Sequence, residues 1–546
     1  MQVFVMHGSI AEMNRRKNLF LKFCDWAVDI TADLSDEQME QMLGNEHGGM
    51  NEVLADAYAI TYDAKYLSCA RRFFHKQLLA PMEKGKDCLD NMHANTQIPK
   101  VIGYQRIAEL AHDMQYHNAS EYFWEIVTRQ RSLALGGNSR REHFPTKETC
   151  IDYVNDIDGP ETCNTYNMLK LTEDLNRVNH QGMYGDFYET AMFNHILSAQ
   201  HPEHGGYVYF TSARPRHYRN YSAPNKAMWC CVGTGMEDHG KYGQFIWTHD
   251  KGMKTEDDAL YVNLFVASEL NWKERKMMLR QQTAFPYAET SNIEVTKGKG
   301  VFTLKIRKPL WCDNFTVMGI GFAVDCYEEN VFVCIKRKWK KGDQVEISMP
   351  MHAYIKPMIN VPQYVAIMYG PILLGMKSGT EDMRSLIADD SRFGQYADGM
   401  KLPLDKALEA RTVDKVSPGE QQPETDHRME TDDSSKGNTE GIFFRDAEDG
   451  HYFSYLMQTK GETNLSLQLK FWGQDEWRTS EFDIYVNDKL LCSVNNSHRW
   501  RTTQFKTVDY AISSEFVKGK KEIRVKFVAQ KGKQVGQIYG VRLVKN

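Results

Sequence analysis

Two short stretches of this chain place thiols and a carboxylate where they can serve one centre: Glu161-Thr162-Cys163 and the vicinal pair Cys230-Cys231. Two ligands two residues apart can turn toward one point from a loop or a helix start. Adjacent cysteines do not readily bond each other without backbone strain, but both can face a metal. Three thiolates and a carboxylate suit tetrahedral zinc. Zinc would also hold a cysteine ionised at neutral pH, and an ionised cysteine is a nucleophile. The set reads either as a closed structural metal site or as a metal-activated thiolate.

A third stretch offers acid–base chemistry. In Gly136-Gly137-Asn138-Ser139-Arg140-Arg141-Glu142-His143-Phe144 the paired glycines let the backbone turn tightly, and Glu142 stands between Arg141 and His143. Burial could keep that carboxyl protonated, as a general acid requires. The competing reading is a surface glutamate paired with an arginine. The other eight cysteines are scattered (Cys24, Cys69, Cys88, Cys150, Cys312, Cys326, Cys334, Cys492) and read as small buried hydrophobes, not a disulfide framework.

These residues need a scaffold, and the chain has room for three or four domains in its 546 residues. Hydrophobic residues make up 42%, enough for real cores. With 67 basic against 72 acidic residues the net charge is −5, so nothing electrostatic calls for nucleic acid or an anionic membrane surface. No stretch approaches a membrane span. Met1 to Ile10 is too short and polar for a secretory signal, so the chain as written reads as cytoplasmic.

Residues 1–252 read as helical. Apolar stripes recur at Val53, Ala57 and Tyr58, at Ile107, Leu110 and Ala111, and at Met168, Leu171, Leu175 and Val178. Short polar breaks between them suggest antiparallel helix pairs, as in a solenoid or a helical toroid, and the lack of a fixed repeat counts against the solenoid. The period then becomes two: Leu260, Val262, Leu264; Phe302, Leu304, Ile306; Val345, Ile347, Met349. Residues 253–376 are therefore expected to form a β-sandwich. Residues 377–439, rich in charge, Gly, Pro and Ser, read as a linker. Alternation returns at Leu465, Leu467, Leu469 and at Phe482, Ile484, Val486 before an Asn487-Asp488 turn, giving a second sandwich over 440–546.

The wording around the reactive residues is distinctive: Glu161-Thr-Cys163-Asn164-Thr165-Tyr166-Asn167, Trp229-Cys230-Cys231-Val232-Gly233-Thr234-Gly235, Asn45-Glu46-His47-Gly48-Gly49-Met50-Asn51-Glu52 and His93-Ala94-Asn95-Thr96-Gln97. Together these segments resemble the β-L-arabinofuranosidases of glycoside hydrolase families 127 and 146, with 146 the nearer. The resemblance implies a multidomain α plus β protein, an (α/α)6-type toroid followed by β-sandwich domains. It implies a retaining exo-glycosidase with Cys230 as nucleophile and Glu142 as general acid/base. Zinc would be held by Glu161, Cys163, Cys230 and Cys231. His93 would contact the sugar, and Glu46, His47 and Glu52 would line the pocket. The implied substrates are plant arabinans, pectic side chains or arabinosylated glycoproteins, met in the periplasm or outside the cell.

One departure bears on this reading. Relatives carry a longer helical region before the Glu-His-Gly-Gly-Met-Asn segment, so apolar helix faces are expected to be exposed here. Three other readings stay open: a glycosidase of this fold for another unusual sugar, a non-catalytic carbohydrate-binding relative, and a zinc-stabilised scaffold. Tyr207, Tyr209, His217 and Tyr218, upstream of the cysteine pair, either line a pocket or pack.

Overall fold

A computed structural model describes residues 10–45, 48–203, 205–214, 219–222, 227–375, 406–439, 442–473, 479–502 and 504–546. Glu46, His47, His217 and Tyr218 lie outside them. The chain divides into two compact units, residues 1–200 with 234–376, and residues 201–233 with 377–546. The boundary at 233/234 falls inside one helix, Cys230–Asp238.

In the first unit the helices pack as two layers. Helices Met50–Thr61, Ala94–Ala111 and Thr162–Val178 lie side by side, with Ala64–Arg72, Met114–Ile126 and Gly182–Ala191 packed behind them. The expected helix pairs are present. The middle helix, Ala94–Ala111, is buried around almost its whole circumference, as a helix flanked on several sides must be. Its close approach to Met50–Thr61 depends on Gly103, where a Cβ would lie 2.1 Å from the Asn51 side chain. Asn51 uses that gap to donate from Nδ2 to the Lys100 carbonyl at 2.7 Å. Lys100 itself is fully buried, its ammonium donating to Leu43 O at 3.3 Å and to Gln97 Oε1 at 3.3 Å and lying 3.0 Å from His75 Nδ1. Helix Ile10–Thr31 exposes Leu19, Phe23, Trp26 and Ile30.

The same unit carries a sandwich of two five-stranded sheets. In order these are Trp247–Asp250, Ala259–Val262, Lys299–Arg307, Phe332–Lys340, Tyr327–Glu329 and Ser268–Trp272, Met277–Thr283, Thr290–Lys297, Gln344–Ser348, Thr316–Ile320. The alternating residues Phe302, Leu304, Ile306, Val345, Ile347 and Met349 all face its core. Arg307 ties this sandwich to the helices. Wholly buried, it meets Asp186 at 2.5 Å and Glu189 at 2.7 Å, and its Nε donates to Asn263 O at 2.6 Å. A separate antiparallel sheet, Ala353–Met358, Val361–Tyr369 and Ile372–Leu373, follows.

The second unit is a sandwich of a six-stranded and a five-stranded sheet. Leu465, Leu467, Leu469, Phe482, Ile484 and Val486 fill its core, as their alternation predicts. Asn487 and Asp488 both have positive φ, 49° and 62°, in the two-residue loop that joins Val486 to Lys489.

One stretch differs from the sequence reading. The described part of the stretch read as a linker, 406–439, is folded: Thr412–Val416 pairs with Ile538–Lys545, Ser435–Thr439 with Ile442–Asp446, and Glu430–Thr431 with Tyr452–Gln458. These strands are short, and Ser435–Thr439 carries no apolar residue, so they show no alternation to read. Residues 201–233 pack within the second compact unit.

Candidate active site

Glu142 and His93 are brought together by backbone pairing between distant segments. Asn91 N–H donates to Phe144 O, Phe144 N–H to Met92 O and Ala94 N–H to Glu142 O, at 2.8–2.9 Å. The ladder sets His93 opposite His143, their rings edge to face at 5.2 Å. His93 caps helix Ala94–Ala111, its Nδ1 accepting from the Thr96 N–H at 3.2 Å. An Nδ1 that accepts leaves a neutral ring's proton on Nε2. That atom faces Glu142 Oε2 at 3.9 Å, and the Glu142 side chain is only 18% exposed.

The loop carrying Glu142 is bent against its preferences. Ser139, Arg141 and Glu142 all have left-handed φ, 77°, 47° and 70°, a conformation costing about 1–3 kcal/mol each for non-glycine residues. The surroundings hold it there. Arg140 and Arg141 both reach Asp156 Oδ2, at 2.9 and 2.7 Å, and Arg141 N–H donates to Asp158 O. The fully buried Asn164 donates from Nδ2 to Ser139 Oγ at 2.8 Å. Gly137 is required at its position because a Cβ would stand 2.7 Å from both His195 and Pro160. The glutamate is thus neither a free surface residue nor a simple partner of its neighbouring arginine, whose charge goes to Asp156.

Asn164 also connects this loop to the first ligand stretch, since it follows Cys163 in helix Thr162–Val178. Glu161 occupies the N-cap position of that helix with extended φ/ψ, yet its side chain makes no capping hydrogen bond. Both Glu161 and Cys163 are buried, at 1% exposure each. Cys163 Sγ lies 3.3 Å from Thr234 Oγ1, on the first turns of helix Cys230–Asp238. The sulfurs of Cys163, Cys230 and Cys231 all lie within 4.8 Å of one another. Tetrahedral zinc with Zn–S near 2.3 Å needs sulfurs about 3.8 Å apart, so the three thiols fit such an ion after sub-ångström to ångström-scale closure. Glu161 stands outside this mutually close set, two residues ahead of Cys163.

The two vicinal cysteines differ sharply. Cys231 is fully buried and Cys230 is exposed. As the first residue of its helix, Cys230 sits at the positive end of the helix dipole, which favours a thiolate. Tyr209 Oη lies 3.7 Å from its sulfur, and Tyr209 packs edge to face on Trp229.

Glu52 pairs with Lys170 at 2.5 Å and lines a polar cavity of about 230 Å³ with Tyr166, Asp174 and Asp238. Burial pushes Asp174 up to about 7 and Asp238 up to about 8. Sequence reasoning missed Asn164, Asp156 and Thr234. The first and last lie inside the quoted motifs, but nothing local marks a side chain whose partner is 25 or 71 residues away.

The model of the β-L-arabinofuranosidase family 127 catalytic domain matches residues 4–244, and that of its middle domain matches 259–351. Together they cover more than half of the chain, which belongs to glycoside hydrolase family 127. A domain of unknown function matches residues 354–438 and a family of unknown function residues 407–544. No curated protein matches the sequence. Among solved structures, a family 127 β-arabinofuranosidase superimposes with a TM-score of 0.51 at 16% identity, over 91% of this chain and 68% of that one. A second, described as a glycoside hydrolase, gives 0.52 at 17%, over 95% and 80%. A family 127 β-L-arabinofuranosidase from Geobacillus stearothermophilus T6 gives 0.48 at 17%, over 91% and 72%. The first two share the fold.

Proposed function

We propose that this chain is a zinc-dependent, retaining exo-β-L-arabinofuranosidase in which Cys230 is the nucleophile and Glu142 the general acid/base. One observation carries the reading: an exposed thiol at a helix start is grouped with two buried ones. A purely structural site would bury all three.

Glu142 donates its proton to the departing glycosidic oxygen while Cys230 Sγ attacks the anomeric carbon. The C–O bond breaks, a C–S bond forms and the aglycone leaves as an alcohol. Glu142, now a carboxylate, takes a proton from water, whose oxygen displaces the sulfur. Two inversions give net retention. His93 turns its Nε2–H toward Glu142 and the sugar, steadying the carboxylate in the second half. Cys163, Cys231, Cys230 and Glu161 would hold the metal. Bound zinc would keep Cys230 ionised and improve it as the leaving group. The strained loop holds the carboxyl ready, so little motion is needed on binding.

The substrates in this reading are β-L-arabinofuranosides of plant polysaccharides or glycoproteins, met in the periplasm or outside the cell. The motif wording supports a place nearer family 146 within this group. Turnover of an aryl β-L-arabinofuranoside by the zinc-loaded chain, with Cys230→Ala beside it, tests the proposal. Turnover by the parent and none by the variant is expected. An inactive, well-folded, zinc-loaded parent would sink the assignment.

A further inference from the structure

The second unit holds a cavity of about 240 Å³ that no catalytic role accounts for. One wall is the chain segment Ala227-Met228-Trp229. The opposite wall comes from the C-terminal sandwich: strand Thr412–Val416, helix Gln421–Asp426 and the strand ending at Gln458. Both walls belong to the same compact unit. The matched family for residues 407–544 has no assigned function.

Position is the first argument. Trp229 lines the cavity and Cys230 is the next residue, so the two Cα atoms are about 3.8 Å apart. A group attached to a carbon under attack by Cys230 has only a residue's length to travel to reach this wall. Lining chemistry is the second. Met228 is 64% exposed and Trp229 supplies an aromatic body behind it, an apolar surface for the C–H face of a sugar. Facing them are polar side chains already tied in pairs. Gln422 Nε2 donates to Asp426 Oδ1 at 2.7 Å, and His427 Nε2 lies 3.3 Å from Asp414 Oδ1. Paired groups of this kind are ordered before a ligand arrives, so binding does not have to freeze them. A wall of amides, carboxylates, an imidazole and the two ammoniums of Lys415 and Lys460 offers donors and acceptors together, which fits the vicinal hydroxyls of a sugar. Size is the third. The cavity is smaller than the roughly 300–1,000 Å³ of drug-sized sites, which suits a single glycosyl unit.

We propose that this cavity is the aglycone subsite: it takes the sugar on the leaving side of the scissile bond and so selects which arabinofuranosides are cleaved. The proposal rests on the arabinofuranosidase reading above. It gives the C-terminal sandwich a direct part in substrate choice.

The test compares two substrates, an aryl β-L-arabinofuranoside that places no sugar in the subsite and a β-L-arabinofuranosyl disaccharide that does. Gln422 and Asp426 are both exposed, and Gln422→Ala and Asp426→Ala each remove a polar partner for sugar hydroxyls. Each is expected to lower kcat/KM for the disaccharide by about 10-fold, mainly through KM, and to leave the aryl substrate within about 2-fold. Equal losses on both substrates, or no loss on either, overturn the subsite while the parent's turnover keeps the enzyme assignment standing. A parent that cleaves neither substrate overturns the assignment itself, and the subsite with it.

Discussion

The loop 138–144 and the start of helix Cys230–Asp238 position reactive groups by opposite means. The loop holds Glu142 with three residues, Ser139, Arg141 and Glu142 itself, in unfavourable backbone, countered by Asp156, Asp158 and Asn164. The cysteine pair needs no strain. A regular helix begins at Cys230, and the helical rotation between successive residues is enough to leave one sulfur exposed and bury the next. A group held by remote side chains can be displaced from a distance. A group held by a helix start is lost only when it is itself removed.

This contrast orders the expected effects. Cys230→Ala should abolish turnover, by about 10³-fold or more, with an unchanged far-UV spectrum. Residual activity within 10-fold of the parent would show that another group is the nucleophile. Glu142→Gln should cost about 10²–10⁴-fold on a poor leaving group and much less on an activated aryl leaving group; equal losses on both would remove it from the acid role. Chelation of zinc should abolish activity and lower Tm, and zinc should restore both. If Tm is unmoved, the three thiols do not share an ion.

Asn164→Ala tests the remote tie. It removes the donor to Ser139 Oγ, so kcat is expected to fall about 10-fold while bound zinc per chain stays constant. Loss of metal instead would mean that the residue serves the thiol side of the comparison. The smallest effect concerns the far end of the cysteine helix. Asp238 sits there buried, at the negative end of the helix dipole, and burial pushes it up to about 8. The folded state therefore keeps a proton that the unfolded chain gives up near 3.8, and stability falls as pH rises through that window. Asp238→Asn should raise stability at pH 8 by about 2 kcal/mol and leave it unchanged at pH 3.5. A gain at both pH values would trace the effect to packing.

Much of this was visible in the residues themselves. Alternation in Leu465, Leu467, Leu469 and in Val345, Ile347, Met349 marked core strands because one face of each is buried. The vicinal cysteines stood out by type and spacing, whereas Glu142 read locally as a surface glutamate and was singled out only by the family resemblance of its segment. What escaped was set by long-range pairing. Ser435–Thr439 is a strand only because Ile442–Asp446 lies beside it. Arg307, with no apolar pattern to mark it, is buried because Asp186 and Glu189 wait 121 and 118 residues earlier. The union of His93 with Glu142 arises from a ladder between segments about fifty residues apart, which no local period encodes.

Lys100 has a practical consequence. Its amine is sealed between the inner helices at zero exposure, held by two carbonyl-type acceptors and facing a histidine ring. An acylating reagent that modifies surface amines within minutes cannot reach it until the helix layers part. Mass spectrometry of that one peptide would therefore clock the opening of the helical body, separately from anything that happens in either sandwich.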